Sequence, residues 1–485
     1  MLTMQRDMTR PFLVLLTLPA TAMGFALSVQ ISVLSWILST RYGLHIHEIG
    51  LVWAAGPLAG ILGQVVVGLV SDQVWFWNGR RRPFILVGGV LSALMILALP
   101  RIGAISHALG FESILGVAIA VALALDLSIN VSFNPTRSII ADVTSEGPMR
   151  TRGYTWMQTV SGLFGVLSYG IGAVLGNYVL ISFAAVLVLG FSVIPSLLIE
   201  EPRTLRATTS SPAATGIGFS RLARALLPLW GLLAYDVIAM GLRIAGVEDR
   251  GYGLEFVCLA VTGVLFAITL SARDRGVEFV REDLVEFRKV LAAHSLSWIG
   301  VQTMFVYMIA FVQQRFPTLG ADSTGRVLSI SFLVLNATGA LMPALALDPL
   351  ARRFGSINVH AFSLLSMSAG FLSVYLIAWS PTMVYLMMAV MGIGWASIVS
   401  LPFAILSERV DSARTGLYMG LFNLSIVLPQ LLVSLGIGTL ISRIGDKSVI
   451  FLIGAITLAL SGAAWLVLRR SAAPPADGRR DFAMH

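Results

Sequence analysis

Residues 53–85 read WAAGPLAGILGQVVVGLVSDQVWFWNGRRRPFI. No charged side chain interrupts Trp53 to Val70. Ser71-Asp72, an aromatic turn, Gly79 and three arginines follow before the chain turns apolar again at Pro83. A run of this kind, extended back to Glu48, is long enough to cross a hydrocarbon core of roughly 30 Å. Lipid offers no partner to exposed backbone N–H and C=O groups, so the run has to be a helix. The arginines that end it are held on one side of the bilayer by the excess of Lys and Arg in cytoplasmic loops.

Outward from this stretch the same alternation repeats. Apolar spans fall at 12–38, 48–70, 83–100, 113–136, 154–176 and 178–199, followed by a Ser-, Thr- and Arg-rich stretch over 200–224. Two more lie at 225–246 and 252–271, then a charged segment over 273–289, then six at 290–312, 326–346, 358–378, 382–406, 415–441 and 448–468. The expected fold is therefore an all-α polytopic membrane protein with about fourteen spans, grouped six, two, six. Composition agrees: 56% of residues are hydrophobic and 12% charged, with a mean hydropathy of +0.85, whereas soluble domains carry about a quarter charged residues. The net charge of +8 comes from arginines scattered through short loops rather than from one basic face, which argues against nucleic acid. The single cysteine, Cys258, allows neither an internal disulfide nor a thiolate metal site. The apolar run after Arg10 is read as an uncleaved first span.

With the N-terminus inside, the loops holding Arg80–Arg82, Arg150, Arg152, Arg352, Arg353, Arg409 and Arg414 are all cytoplasmic, and inverting the chain would reverse the bias. Both termini are expected in the cytoplasm. The alternating acids and bases of 273–289 read as a solvated or interfacial helix linking the halves. Expected units are 1–199, a first six-helix bundle; 200–289, a linker with two extra helices; 290–470, a second bundle; and 471–485, a tail. Asp72 before Arg80–Arg82 has a counterpart in Asp348 before Arg352-Arg353, at the equivalent place in the second set of six, as expected of a duplicated bundle.

Few residues carry chemistry. Asp126 lies in the middle of the fourth span, where an ionised carboxylate is costly and intramembrane acids usually face a cavity and serve a function; it is the expected proton-carrying group, the plainer reading being an aspartate hydrogen-bonded to a neighbouring helix. Arg137 lies three turns nearer the cytoplasm on nearly the same face, ~16 Å along the axis, too far for a static ion pair in a straight helix, with Pro135 between them to bend it. Asp72, Arg80, Arg81, Arg82, Asp142, Asp348 and Arg352 make candidate gating contacts between loops, since exposed ion pairs of about 0–1 kcal/mol break readily; the plainer reading is that the arginines only fix topology. Asp236 and Arg243, two turns apart, are placed to approach one another. His45, His47 and Glu48 are read as solvated, not as a metal site. No nucleophile–base pairing or phosphate loop is present, so neither an enzyme nor a cofactor is expected.

The pattern Trp53, Gly56, Pro57, Gly60, Gln64, Val67, Gly68, Ser71, Asp72, then Gly79 to Ile85, closely resembles the sucrose/proton symporters. These belong to the glycoside–pentoside–hexuronide cation symporters of the major facilitator superfamily. Leu125-Asp126 with Asn130, then Pro135, Arg137 and Ala141-Asp142, extend the likeness, as does Gly420 to Gln430 in span eleven. The resemblance implies two six-helix bundles around a central cavity, alternating access, and proton-coupled symport of a sugar or glycoside. It ties Asp126 to proton coupling and Arg137 to the substrate or the carboxylate. Among polar residues within spans, Gln30, Gln64, Asn130, Gln302, Tyr307, Asn423 and Gln430 are candidate sugar ligands, with Trp298 and Trp395 as aromatic platforms; each is equally open to a reading as a polar contact between helices. Two features depart from the plant members: the inserted helix pair, and Gln313-Gln314 in place of acids after the first span of the second half. The expected partners are a small solute, protons and the bilayer; the expected setting is a bacterial inner membrane and the expected form a monomer. Competing readings are an assembly or sensor protein on the same fold, which would have no need to bear the cost of Asp126, and a transporter of a non-sugar solute.

Overall fold

The computed structural model describes residues 3–60, 74–145, 148–202, 219–245, 247, 252–272, 279–407 and 415–471. The first set of helices is α1 (Arg10–Thr40), α2 (Ile46–Trp53), α3 (Arg82–Ala98), α4 (Ile114–Val143), α5 (Pro148–Leu175) and α6 (Asn177–Leu198). A pair follows, α7 (Trp230–Ile244) and α8 (Gly253–Ser271). The second set is α9 (Phe279–Arg315), α10 (Ala321–Met342), α11 (Ser356–Ile377), α12 (Pro381–Ser407), α13 (Thr415–Leu432) and α14 (Val449–Ser471).

Among the described residues, 12 helices are long and apolar enough to cross a membrane, against the fourteen spans expected. Two expected spans account for the difference. The one at 48–70 begins in α2 and runs into residues outside those described. The one at 225–246 is interrupted by a tight turn at Leu227–Leu229 around Pro228, which leaves α7 with 15 residues. At 1.5 Å per residue that is ~23 Å, short of the hydrocarbon thickness. The charged segment also differs from expectation: α9 starts at Phe279 and runs without a break into the apolar span, over 37 residues, so it is one long helix with a charged beginning rather than a separate linking helix.

The two sets pack by the same scheme. In the first, α1 lies against α5 and α6 while α3 is held between α4 and α6; in the second, α9 lies against α13 and α14 while α11 is held between α12 and α14. Small residues permit this closeness. A Cβ on Gly88 would sit 2.1 Å from Ser132 Oγ, and one on Gly89 2.1 Å from Ser192 Cβ, so α3 meets both neighbours nearly backbone to backbone. The α7–α8 pair packs against α9 and α13.

The halves join toward the end away from Arg80–Arg82. Ser35 Oγ donates to the Val306 carbonyl at 2.8 Å, Trp36 Nε1 to the Ala321 carbonyl at 2.8 Å, and Ser39 Oγ to Gln313 Oε1 at 3.1 Å. Ser32 and Ser329 hydroxyls meet at 2.9 Å, and Ser329 donates to Asn177 Oδ1 at 3.0 Å. Here α2 also rests on a π-helical turn, Val433–Ile437, that continues α13 into the short helix Gly438–Arg443.

Candidate solute and proton site

Asp126, in the middle of α4, is buried, and Gln30 Nε2 of α1 donates to its Oδ2 at 2.9 Å. Gly56, the glycine after Trp53 in the opening motif, faces the same carboxylate; a Cβ there would lie 3.3 and 3.4 Å from the two oxygens. Trp53 Nε1 donates to Ser35 Oγ at 2.8 Å, and that hydroxyl bonds across to the second half. One motif thus lies against the acid and touches the contacts between halves. Asn130 Nδ2 donates to the Asp126 carbonyl at 2.8 Å.

Asp126, Asn130, Asn134 and Arg137 fall within about 80° of one another on the α4 wheel. Along this stripe burial falls steadily: Asp126 is buried, the asparagines half-buried, and Arg137 exposed. The Arg137 guanidinium lies 4.1 Å from the Phe133 ring centroid, a cation–π contact, and makes no ion pair with Asp126. The stripe is a polar track from a sealed carboxyl group to an open arginine.

In the second half, Gln430 Nε2 donates to Gln302 Oε1 at 3.3 Å, and Asn423 lies half-buried two turns earlier on α13. Trp395 Nε1 donates to Asn336 Oδ1 at 3.1 Å, and Trp298 Nε1 to His294 Nε2 at 2.9 Å. The two indoles meet edge to face at 6.1 Å. Tyr307, expected among the solute ligands, packs against the continuation of α13. It is buried, its hydroxyl donates to the Val433 carbonyl at 3.0 Å, and a Cβ on Gly50 or Gly438 would come within 2.4 Å of that oxygen. Gln313 accepts from Ser39, and Gln314 binds the Gly445 carbonyl and the Lys447 N–H, so Gln313 joins the ends of α1 and α9 and Gln314 joins α9 to the loop before α14. Gln64 and Asp72 lie outside the described residues.

The arginine loop bonds inside the first half. Arg80 Nη2 and Arg81 Nε reach Asp142 Oδ2 at 3.0 and 3.1 Å, and Arg82 Nε donates to the Ser196 carbonyl. Glu201 was missed from sequence: its carboxylate accepts the backbone N–H groups of Arg80, Arg81 and Arg82 at 2.8, 2.9 and 2.7 Å. Those are the donors that a helix start leaves without partners, and the Glu-Glu-Pro run just past the sixth span was the available signal. The preceding turn, closed by paired bonds between Phe76 and Gly79, has Trp77 and Asn78 at φ of 50° and 58°, the left-handed geometry of a two-residue hairpin turn. Asp348 bonds to Arg352 of its own helical turn at 2.8 Å, both exposed.

Asp236 and Arg243 do not meet. Neither Asp236 oxygen has a hydrogen-bond partner among the described residues, while Arg243 Nη2 donates to the Leu435 carbonyl at 2.8 Å. The π-helical turn offers that carbonyl, because its bonding register departs from i to i+4. The Glu48 carboxylate accepts the His45 N–H at 2.6 Å as a helix cap, and no cluster of three metal-ligating side chains occurs among the described residues.

The Major Facilitator Superfamily profile matches residues 16–434. The sucrose transport protein SUC4 of Arabidopsis thaliana is 25% identical over 480 residues, covering 88% of this chain and 83% of that protein. The sucrose transport protein SUT2 of Oryza sativa subsp. indica is 25% identical over 470 residues, covering 86% and 84%. Among solved structures, the nucleoside transporter NupG superposes with a TM-score of 0.58 at 12% identity, over 94% of this chain and 99% of its own. The POT family transporter PepTSo superposes with a TM-score of 0.64 at 12% identity, over 96% and 98%.

Proposed function

The chain belongs to the major facilitator superfamily, and from that premise we propose that it is a secondary active transporter carrying a sugar of the sucrose class in symport with protons. The observation that carries this reading is the Asp126 carboxyl group sealed against Gln30 and Gly56 at the head of the α4 track. An acid at membrane depth bears a cost that transport repays by binding and releasing a proton. A carboxylate accepts the Gln30 N–H; a protonated carboxyl can donate instead, so loading the proton reverses or breaks the bond that ties α1 to α4. That changes the preference between states open to either side. The Gln302–Gln430 pair, Asn336, Asn423 and the indoles of Trp298 and Trp395 supply the directional polar groups and flat faces that a polyhydroxy ring needs.

In this reading the arginine end is cytoplasmic, both termini lie there, and the structure is the state closed to the outside. The units are 1–199, 200–289 and 290–470 with a tail to 485, and the chain crosses a bacterial inner membrane fourteen times, the 48–70 run and the 225–246 segment, α7 together with the turn at Leu227–Leu229 before it, completing the count. It works as a monomer. The Asp142 contacts hold the inner ends of α3 and α4 together through each cycle, and Asp72 latches the cytoplasmic side when it closes.

The test is uptake into proteoliposomes, with labelled sucrose and a panel of other sugars, under an inward proton gradient. Accumulation above equilibrium that collapses with a protonophore is expected. Uptake of sucrose that ignores the gradient would remove proton coupling, and no uptake of any sugar would remove the substrate class.

A further inference from the structure

Apart from this site, a cavity of about 680 Å³ opens at the far end, on the flank where α2 and α4 of the first half face α7, α8 and the end of the α13 continuation. Four charged residues line it: Glu48, Glu255, Arg243 and Arg443. Each belongs to the last or first turn of its helix at that end: Glu48 begins α2, Glu255 begins α8, Arg243 ends α7 and Arg443 ends Gly438–Arg443. His47, Tyr252, Thr439 and Ser442 add polar groups to the wall, and the remaining lining residues are apolar. Leu58 lies ten residues beyond Glu48 and Leu123 nine beyond the start of α4, so the chamber runs about 14 Å down those helices from its charged mouth.

Two cations and two anions at helix ends, beside a wall formed by Leu51, Leu58, Leu115, Ile119, Leu123 and Met240, form a surface with a specific complement. A solute free in water would leave the chamber's apolar wall unmatched, and an anionic head group would meet two carboxylates of like charge. We propose that this cavity binds a zwitterionic phospholipid drawn from the surrounding bilayer. The phosphate sits at Arg243 and Arg443, the primary ammonium at Glu48 and Glu255, and one acyl chain lies along Ala55, Leu58, Ile119 and Leu123. A guanidinium carries five N–H donors, so Arg243 can hold the Leu435 carbonyl and Arg443 can stack on Tyr252, 5.0 Å from its ring centroid, while both engage phosphate. The α7–α8 pair thereby acquires a task, since it supplies the Arg243, Tyr252 and Glu255 side of the mouth. Walls come from both halves, so bound lipid favours the state in which the far end is closed.

The full-length protein, stripped of lipid by detergent exchange, tests this with phosphatidylethanolamine and phosphatidylglycerol of identical chains, read by native mass spectrometry and thermal shift. Phosphatidylethanolamine should be retained about tenfold more strongly, the effect of one or two charge-assisted bonds. Arg443→Met should remove that preference. Ile119→Trp, which fills the chamber and touches no charge, should lower retention of both lipids and carries the test if the arginine variant does not fold. Equal retention of the two lipids by wild type, or full retention by Ile119→Trp, overturns the assignment. So does stabilisation by the deacylated head group glycerophosphoethanolamine as large as by the lipid, which would make the ligand a soluble zwitterion.

Discussion

At Asp126 a single side chain draws its neighbours from separate parts of the first half. Its carboxyl group, the Gln30 amide and the missing Cβ of Gly56 form a single unit drawn from three helices. Asp126→Asn keeps the shape and removes the titratable proton. The variant should lose uphill accumulation entirely while still exchanging labelled for unlabelled sugar across the membrane; pH-driven accumulation at the wild-type level would place coupling elsewhere. Gly56→Ala is gentler. Its methyl would stand 3.3 Å from Oδ2, so the carboxylate has to yield by a few tenths of an ångström in a close-packed interior. Initial transport rates should fall several-fold with the amount of folded protein unchanged, and a wild-type rate would show that this wall is not critical.

At the scale of elements, α3 is a helix whose start is anchored from elsewhere. It opens with Arg82-Pro83, and proline suits the first turn because its missing N–H needs no partner there. The three N–H groups before it converge on Glu201, at the end of the sixth span. Glu201→Ala should cost about 1 kcal/mol, up to about 2, in the manner of a lost helix cap made with a charged acceptor. A lowered melting temperature in detergent is the readout, and an unchanged one would mean that water replaces the carboxylate without loss. The π-helical turn after α13 is a second such element. Tyr307 bonds its Val433 carbonyl from one side and Arg243 its Leu435 carbonyl from another, and Tyr235 of α7 packs where Gly436 has no side chain. The inserted pair therefore braces the segment on which α2 rests.

For the whole molecule, the inter-half bonds set the balance between states. Ser35 is the hinge of that network, accepting from Trp53 and donating to Val306. Ser35→Ala removes both bonds, of which the one to Val306 crosses between the halves with a net value of about 1 kcal/mol. The population open at the far end should rise roughly fivefold. A single cysteine at Gln302, in a chain whose buried Cys258 is replaced by serine, should then label faster from the far side with a membrane-impermeant probe. Labelling rates equal to the Ser35 chain would show that other contacts hold the closure.

The sequence alone determined the class, most of the spans, the duplicated plan and the placing of an acid, Asp126, at membrane depth. Each of these follows from the free energy of single residues or runs in lipid: apolar length, the distribution of arginine, and the cost of an acid at depth. Pro228 was visible too, but its effect on the 225–246 span depended on how the turn at Leu227–Leu229 packs. Partnerships were a different matter. Nothing local says that Tyr307 bonds the Val433 carbonyl, that Glu201 caps α3, or that Arg243 prefers a carbonyl of α13's continuation to Asp236 two turns away. Those choices lie between groups far apart in the chain, and a polar side chain in a helix reads the same whether it meets a ligand or another helix. Only tertiary packing, by deciding which backbone carbonyls and which glycine hollows lie within reach, selected among them.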